Sequence, residues 1–177
     1  MRLFFLTIFS VFCFTAQAQV DTFQQDIINY LNINGTHTQY ADAYEKMFDV
    51  LLPQFESANV PESFVKELKK DKEESLDEIV KFLTFAYRKH FTQEDIQQMT
   101  SFYKSKAGQK MVHKTGTLTE AENAEIAAFF GSDLGKKIEE KRTALSEDIA
   151  EISGHWSRDL FSEKMSALVK NGYVPKQ

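Results

Sequence analysis

Cysteine is all but absent from this chain: among 177 residues there is one, Cys13, and it lies inside the apolar stretch from Leu3 to Phe14. Downstream of that stretch no disulfide, thiol nucleophile or thiolate metal site is available, so the core alone must hold the fold. A chain of this length buries roughly 68–70 % of its unfolded surface, which is sufficient for one domain. Proline is scarce too, at Pro53, Pro61 and Pro175 only, and no segment alternates apolar and polar residues with the period of a strand. That combination excludes a sandwich or barrel and predicts an all-helical fold. The four histidines, His37, His90, His113 and His155, are far apart and none belongs to a paired metal-binding motif. Adjacent carboxylates such as Asp77-Glu78 and Glu139-Glu140 fall on the outer faces of amphipathic helices, and there is no nucleophile elbow or phosphate-binding loop. No catalytic residue, cofactor site or metal ligand is therefore assigned. Nor is there an excess of positive charge: the formal net charge is -5, with both signs interspersed, which argues against a nucleic-acid partner.

What is present begins with a targeting segment. Met1-Arg2 is followed by the apolar run and then by Thr15-Ala16-Gln17-Ala18, whose small residues fit a signal-peptidase site. The run is too short to span a membrane, and Phe12 stands where a lipoprotein signal needs a small residue before Cys13. The expectation is cleavage after Ala18 and an exported, periplasmic or secreted product, with residues 1–18 as signal peptide and 19–177 as a single helical domain.

Along the mature chain the apolar residues recur at three- and four-residue spacing. Val20, Phe23, Ile27, Tyr30 and Leu31 predict a first helix ended by Asn34-Gly35, a pair suited to a left-handed cap. This capping role also accounts for the glycosylation-like triplet Asn34-Gly35-Thr36. Tyr40, Tyr44, Met47, Phe48, Leu51 and Phe55 form the cleanest stripe, with Pro53 marking a kink or an early end. A further helix begins at Pro61. The charge run from Lys66 to Glu74 reads as a solvated face, and Ser75 with Glu78 offers a capping box, so the segment is either broken near Ser75 or one long helix. Leu76, Ile79, Val80, Leu83, Ala86 and Tyr87 give its inner face. Near the end of the chain a long stripe from Leu134 to Leu168 reaches Asn171-Gly172, with Gly154 as a candidate interruption. The periodicity predicts about six to eight helices in a compact bundle.

Residues 91–111 and 118–138 align without a gap. They share Thr92 with Thr119, Phe102 with Phe129, Ser105 with Ser132, Gly108 with Gly135 and Lys110 with Lys137, five identities over 21 positions. Unrelated segments would share about one. An internally duplicated helix-break-helix unit is expected, each copy opened by a Thr cap and restarted by a Ser cap. A third, degenerate copy from Leu145 lacks the Ser and Gly and is set aside. The repeated Ser-x-x-Gly-x-Lys makes Ser105, Gly108, Lys110, Ser132, Gly135 and Lys137 the candidate anion- or partner-binding residues, because a helix N-terminus with a nearby lysine attracts anions. The competing reading makes the serines caps, the glycines helix-crossing positions and the lysines solvated.

The run Tyr87-Arg88-Lys89-His90-Phe91-Thr92-Gln93-Glu94-Asp95, followed by Ser101-Phe102-Tyr103-Lys104-Ser105-Lys106-Ala107-Gly108-Gln109-Lys110, resembles the core of the bacterial domain of unknown function 2059 family. Lys106 stands where that family usually has proline. The likeness is best over about residues 76–111, within a family-like core of residues 76–138, and implies an exported helical protein without implying an activity. The functional expectation is a non-enzymatic interaction module of the cell envelope whose partner is an envelope protein, a peptide or a lipid. A small helical periplasmic chaperone and an enzyme with an undetected site are the alternatives.

Overall fold

The structure, a computed structural model, describes residues 21–176. The proposed signal segment 1–18, its cleavage site and Cys13 lie outside the described residues. Among the described residues the chain is all-α. It forms α1 (Thr22–Ile33), α2 (Thr36–Leu51), a 3-10 segment (Leu52–Ala58), α3 (Glu62–Leu68), α4 (Lys72–His90), α5 (Gln93–Lys104), α6 (Lys106–His113), α7 (Glu120–Gly131) and α8 (Asp133–Lys170).

Two apolar clusters hold these helices together. In the first, Ile27, Tyr30 and Leu31 of α1 meet Ile79, Val80, Leu83 and Tyr87 of α4 and Ile96 and Met99 of α5. In the second, Tyr44, Phe48 and Leu51 of α2 and Phe55 of the 3-10 segment meet Leu68 of α3 and Leu160 and Leu168 of α8. Burying each such side chain contributes about 1.5–3 kcal/mol, offset in large part by the entropy of ordering the chain. Helix α8 joins the two clusters. Its 38 residues extend about 57 Å, with Leu134 to Trp156 facing the first cluster and Trp156 to Leu168 the second. Gly154 lies within this helix without interrupting it.

Local chemistry explains most boundaries. Asp21 caps α1 by accepting from the Gln24 amide, and Arg88 donates to the same carboxylate at 2.5 Å. Pro53 has no amide hydrogen for a continued α-helix, and the chain tightens into the 3-10 segment from Leu52. The second boundary differs from expectation. The break precedes α4 at residues 69–71, whereas Ser75 is buried inside α4, where its hydroxyl accepts from the Trp156 indole at 3.1 Å. The charge run around this break is only partly a solvated face. Lys69 and Lys72 both reach Glu45 of α2 at 2.7 Å, and Asp71 accepts from Tyr44 and from the buried Lys164 of α8. These long-range bonds set the position of the break. Burial pushes the Asp71 carboxyl upward, but the Lys164 and Tyr44 hydrogen bonds more than offset that and hold it below the usual range.

Candidate functional site

The six residues singled out by the repeat form two corners of identical construction. At the first, Thr92 accepts from the Asp95 amide at 3.2 Å while Asp95 accepts from the Thr92 amide at 2.8 Å, which closes a capping box on α5. At the second, Thr119 and Glu122 do the same on α7 at the same two distances. Each helix then ends at a serine that caps the next: Ser105 accepts from the Gly108 amide at 3.2 Å, and Ser132 from the Gly135 amide at 3.1 Å.

The glycines are required by these corners. A Cβ on Gly108 would lie 2.3 Å from the Phe102 carbonyl oxygen, and one on Gly135 would lie 2.3 Å from that of Phe130. The close approach is therefore to the last turn of the preceding helix. It is not the crossing of a remote helix that the spacing suggested.

The lysines join one corner to the other. Lys110 of the first unit reaches Glu122, the capping carboxylate of the second, at 2.7 Å, while Lys137 of the second reaches Asp95, the capping carboxylate of the first, at 2.5 Å. Between them the equivalent residues Phe102 and Phe129 stack face to face, 3.9 Å apart and 3° from parallel. Phe102 meets Phe130 edge-on at 5.8 Å, and Phe129 meets Tyr103 edge-on at 6.4 Å. Each contact has its reciprocal, as at the interface of a two-fold dimer, but within one chain.

The electrostatics follow from the pairing. The Lys110 hydrogen bond, followed by the Thr119 amide, brings Glu122 down from 4.5 to about 2. Asp95 is pushed upward by burial but held below its ordinary value by Lys137 and Thr92. The cations and amides that an anion would use are thus already bonded to carboxylates and serine hydroxyls of the chain itself. The two units are not equally buried: Phe102 is in the core, whereas Phe129 is half-buried and Phe130 exposed.

A different feature has the form of a binding site. Between α4 and α8 runs a groove of about 380 Å³ with Phe82, Phe85, Ile152, Trp156 and Leu160 as its floor. Phe82 is 46 % and Phe85 64 % exposed, large values for phenylalanine. Glu78, Asp159 and Glu163 stand along the rim, all exposed, together with His155, whose Nδ1 lies 3.1 Å from Arg158. A neighbouring polar depression adds Glu74 and Lys81. The Trp156 indole is fixed by its bond to Ser75 and by an edge-on contact with Tyr40 at 5.4 Å.

Sequence reasoning passed over this groove. Phe82 and Phe85 fall off the inner stripe of α4, and the signal that marks them is a second stripe, Glu78-Phe82-Phe85, at spacings of four and three. Among the described residues, no group of three or more His, Cys, Asp or Glu is placed to hold a metal ion. No described helix is long and apolar enough to cross a membrane.

Comparison with known proteins agrees with the pattern around the first corner. The model of a family described as "Uncharacterized protein conserved in bacteria (DUF2059)" matches two overlapping segments, residues 77–122 and 115–163, which take in both corners and the α4 and α8 walls of the groove. No curated protein and no solved structure matches the chain. Through residues 77–163, the chain belongs to the bacterial family DUF2059.

Proposed function

We propose that this chain is an exported binding module of the cell envelope. It works as one domain from residue 19, and its groove between α4 and α8 receives a cationic amphipathic segment of a partner protein. The observation that carries this reading is the combination of an exposed apolar floor, Phe82 and Phe85, with an acidic rim, Glu78, Asp159 and Glu163. An apolar stripe flanked by Lys or Arg complements both features at once, as in helix-in-groove recognition. The same rim disfavours anionic lipid surfaces. Export is supported by the amino-terminal segment with its Ala16-Gln17-Ala18 site. A binding role is favoured over a catalytic one because the groove's polar groups are exposed carboxylates on its edge instead of buried groups converging on one point.

Trp156 is the only tryptophan in the chain and lines the groove, so it reports occupancy directly. Titration of the mature protein with a short Lys/Leu amphipathic peptide should shift its emission to the blue in a saturable way. Phe82→Ala and Phe85→Ala remove exposed side chains and should leave the fold intact. Each should weaken binding by about thirtyfold if it anchors the peptide with about 2 kcal/mol. An emission spectrum that does not respond, or Phe variants that bind like the parent protein, would overturn the reading.

A further inference from the structure

The two repeat units are built alike, yet only the first is covered. There α1 lies on α5: Ile27, Tyr30 and Leu31 share a cluster with Ile96 and Met99, which are 0 % and 1 % exposed. Tyr30 meets Tyr103 edge-on at 5.5 Å, the Thr100 hydroxyl oxygen is fully buried, and Gln93 and Gln97 donate to Asp26 of α1 at 2.8 and 2.9 Å. The offset that pairs Thr92 with Thr119 carries this face of α5 onto Glu120, Asn123, Ala124, Ile126, Ala127 and Phe130 of α7. Ile126 is half-buried, Phe130 is 42 % exposed, and the other four are exposed as well. Helix α7 packs on α6 and α8, and among the described residues no helix stands on its outer face as α1 stands on α5.

The exposed surface of α7 also differs in composition from that of α5. Where α5 turns Glu94, Ser101 and Lys104 to solvent, α7 has Ala121, Ala128 and Gly131, so that apolar residues run around most of its circumference. Helices of that composition are normally buried, and their small residues let another helix approach closely. We infer that the outer face of α7 seats an amphipathic helix of a partner protein, which completes the second unit as α1 completes the first and carries a lysine or arginine where α1 carries Asp26. The apolar stripe of that helix meets Ile126, Ala127 and Phe130, the counterparts of Met99, Thr100 and Tyr103. Its charge follows from the two substitutions beneath the Asp26 position. Gln93, which donates to Asp26, is replaced by Glu120, a carboxylate that can only accept, and Gln97 is replaced by Ala124. An acid seated there would face Glu120 without a donor, which disfavours α1 of a second copy, whereas a cation pairs with it.

This seat shares no residue with the groove between α4 and α8, and the two stand or fall separately. The probe is a labelled peptide of residues 21–34 carrying Asp26→Lys, followed by fluorescence anisotropy, with the unaltered peptide as its counterpart. The altered peptide should bind the mature protein saturably and about two- to fivefold more tightly than the unaltered one, the range of an exposed ion pair. Glu120→Lys, at an exposed position, should reverse that order. Ala127→Arg sets a long side chain in the middle of the exposed face. It should leave the melting temperature unchanged yet weaken binding by about tenfold or more, whereas Phe82→Ala in the groove should leave binding unchanged. Three outcomes would overturn the proposal. They are no saturable binding of either peptide; binding that survives Ala127→Arg, as for a peptide that displaces α1 from α5 or enters the groove; or tighter binding of the unaltered peptide to the parent protein, which would make α1 of a second copy the occupant.

Discussion

Alanine substitution at Gly108 and Gly135 tests the corners most severely, because the same change at Gly154 should have the opposite sign. At Gly108 the new Cβ meets the Phe102 carbonyl oxygen at 2.3 Å and the Tyr103 Cα at 2.9 Å; at Gly135 it meets the Phe130 and Phe129 carbonyl oxygens at 2.3 and 2.6 Å. All of these atoms are backbone, so no side chain can swing away and the preceding helix must move. Overpacking of this kind costs about 1–3 kcal/mol. If the movement also breaks the Ser105 or Ser132 cap, about 1 kcal/mol is added. Each variant should therefore lose about 1–4 kcal/mol, which for a protein of this size lowers the melting temperature by about 2–16 °C. Gly154, inside α8, has only the flexible Arg158 guanidinium near its added methyl, at 3.6 Å. There alanine should stabilise by about 0.5–1 kcal/mol through helix propensity alone. Urea unfolding of the three variants in parallel is the assay. Gly108→Ala and Gly135→Ala that are neutral or stabilising, like Gly154→Ala, would refute the reasoning.

Three further outcomes follow from the same geometry. Lys110→Met and Lys137→Met should each lower the melting temperature, more at low than at high ionic strength, and each should leave the other unit's ion pair intact in double-mutant cycles with Glu122→Gln and Asp95→Asn. Because Lys110 brings Glu122 from 4.5 to about 2, the stability it contributes is complete above pH 4.5 and lost as pH falls through about 2. Acid titration of unfolding should show that loss, and Glu122→Gln, which keeps a capping side chain, should remove this part of it. Phe102→Ala, in the core, should cost about 3–5 kcal/mol by urea denaturation, and Phe129→Ala, at the half-buried face of the stack, should cost less.

Features set by neighbouring residues were legible in the sequence. The all-helical class, the Thr92 cap and the Asn34-Gly35 stop all depend on residues within one turn of the backbone they satisfy. What escaped depends on partners far along the chain. The break at residues 69–71 is held by Glu45, Tyr44 and Lys164, which no local pattern reveals, so the nearby Ser75 seemed the better breaking point. Lys110 and Lys137 looked like free cations because their partners, Glu122 and Asp95, stand 12 and 42 residues away along the chain. Only the folding of one unit against the other lets the same carboxylates serve twice. The groove needs α4 beside the middle of α8, a juxtaposition that no helical period along the chain reveals.

If the groove selects a cationic amphipathic segment by its acidic rim, reversing the charge of the rim should reverse the selection. Glu78→Lys combined with Asp159→Lys changes two exposed positions and leaves the apolar floor untouched. Trp156 emission is then titrated with matched Lys/Leu and Glu/Leu peptides. The parent protein should prefer the Lys/Leu peptide and the reversed protein the Glu/Leu peptide, with the preference fading as salt rises. Equal binding of the two peptides by both proteins would contradict selection by the rim.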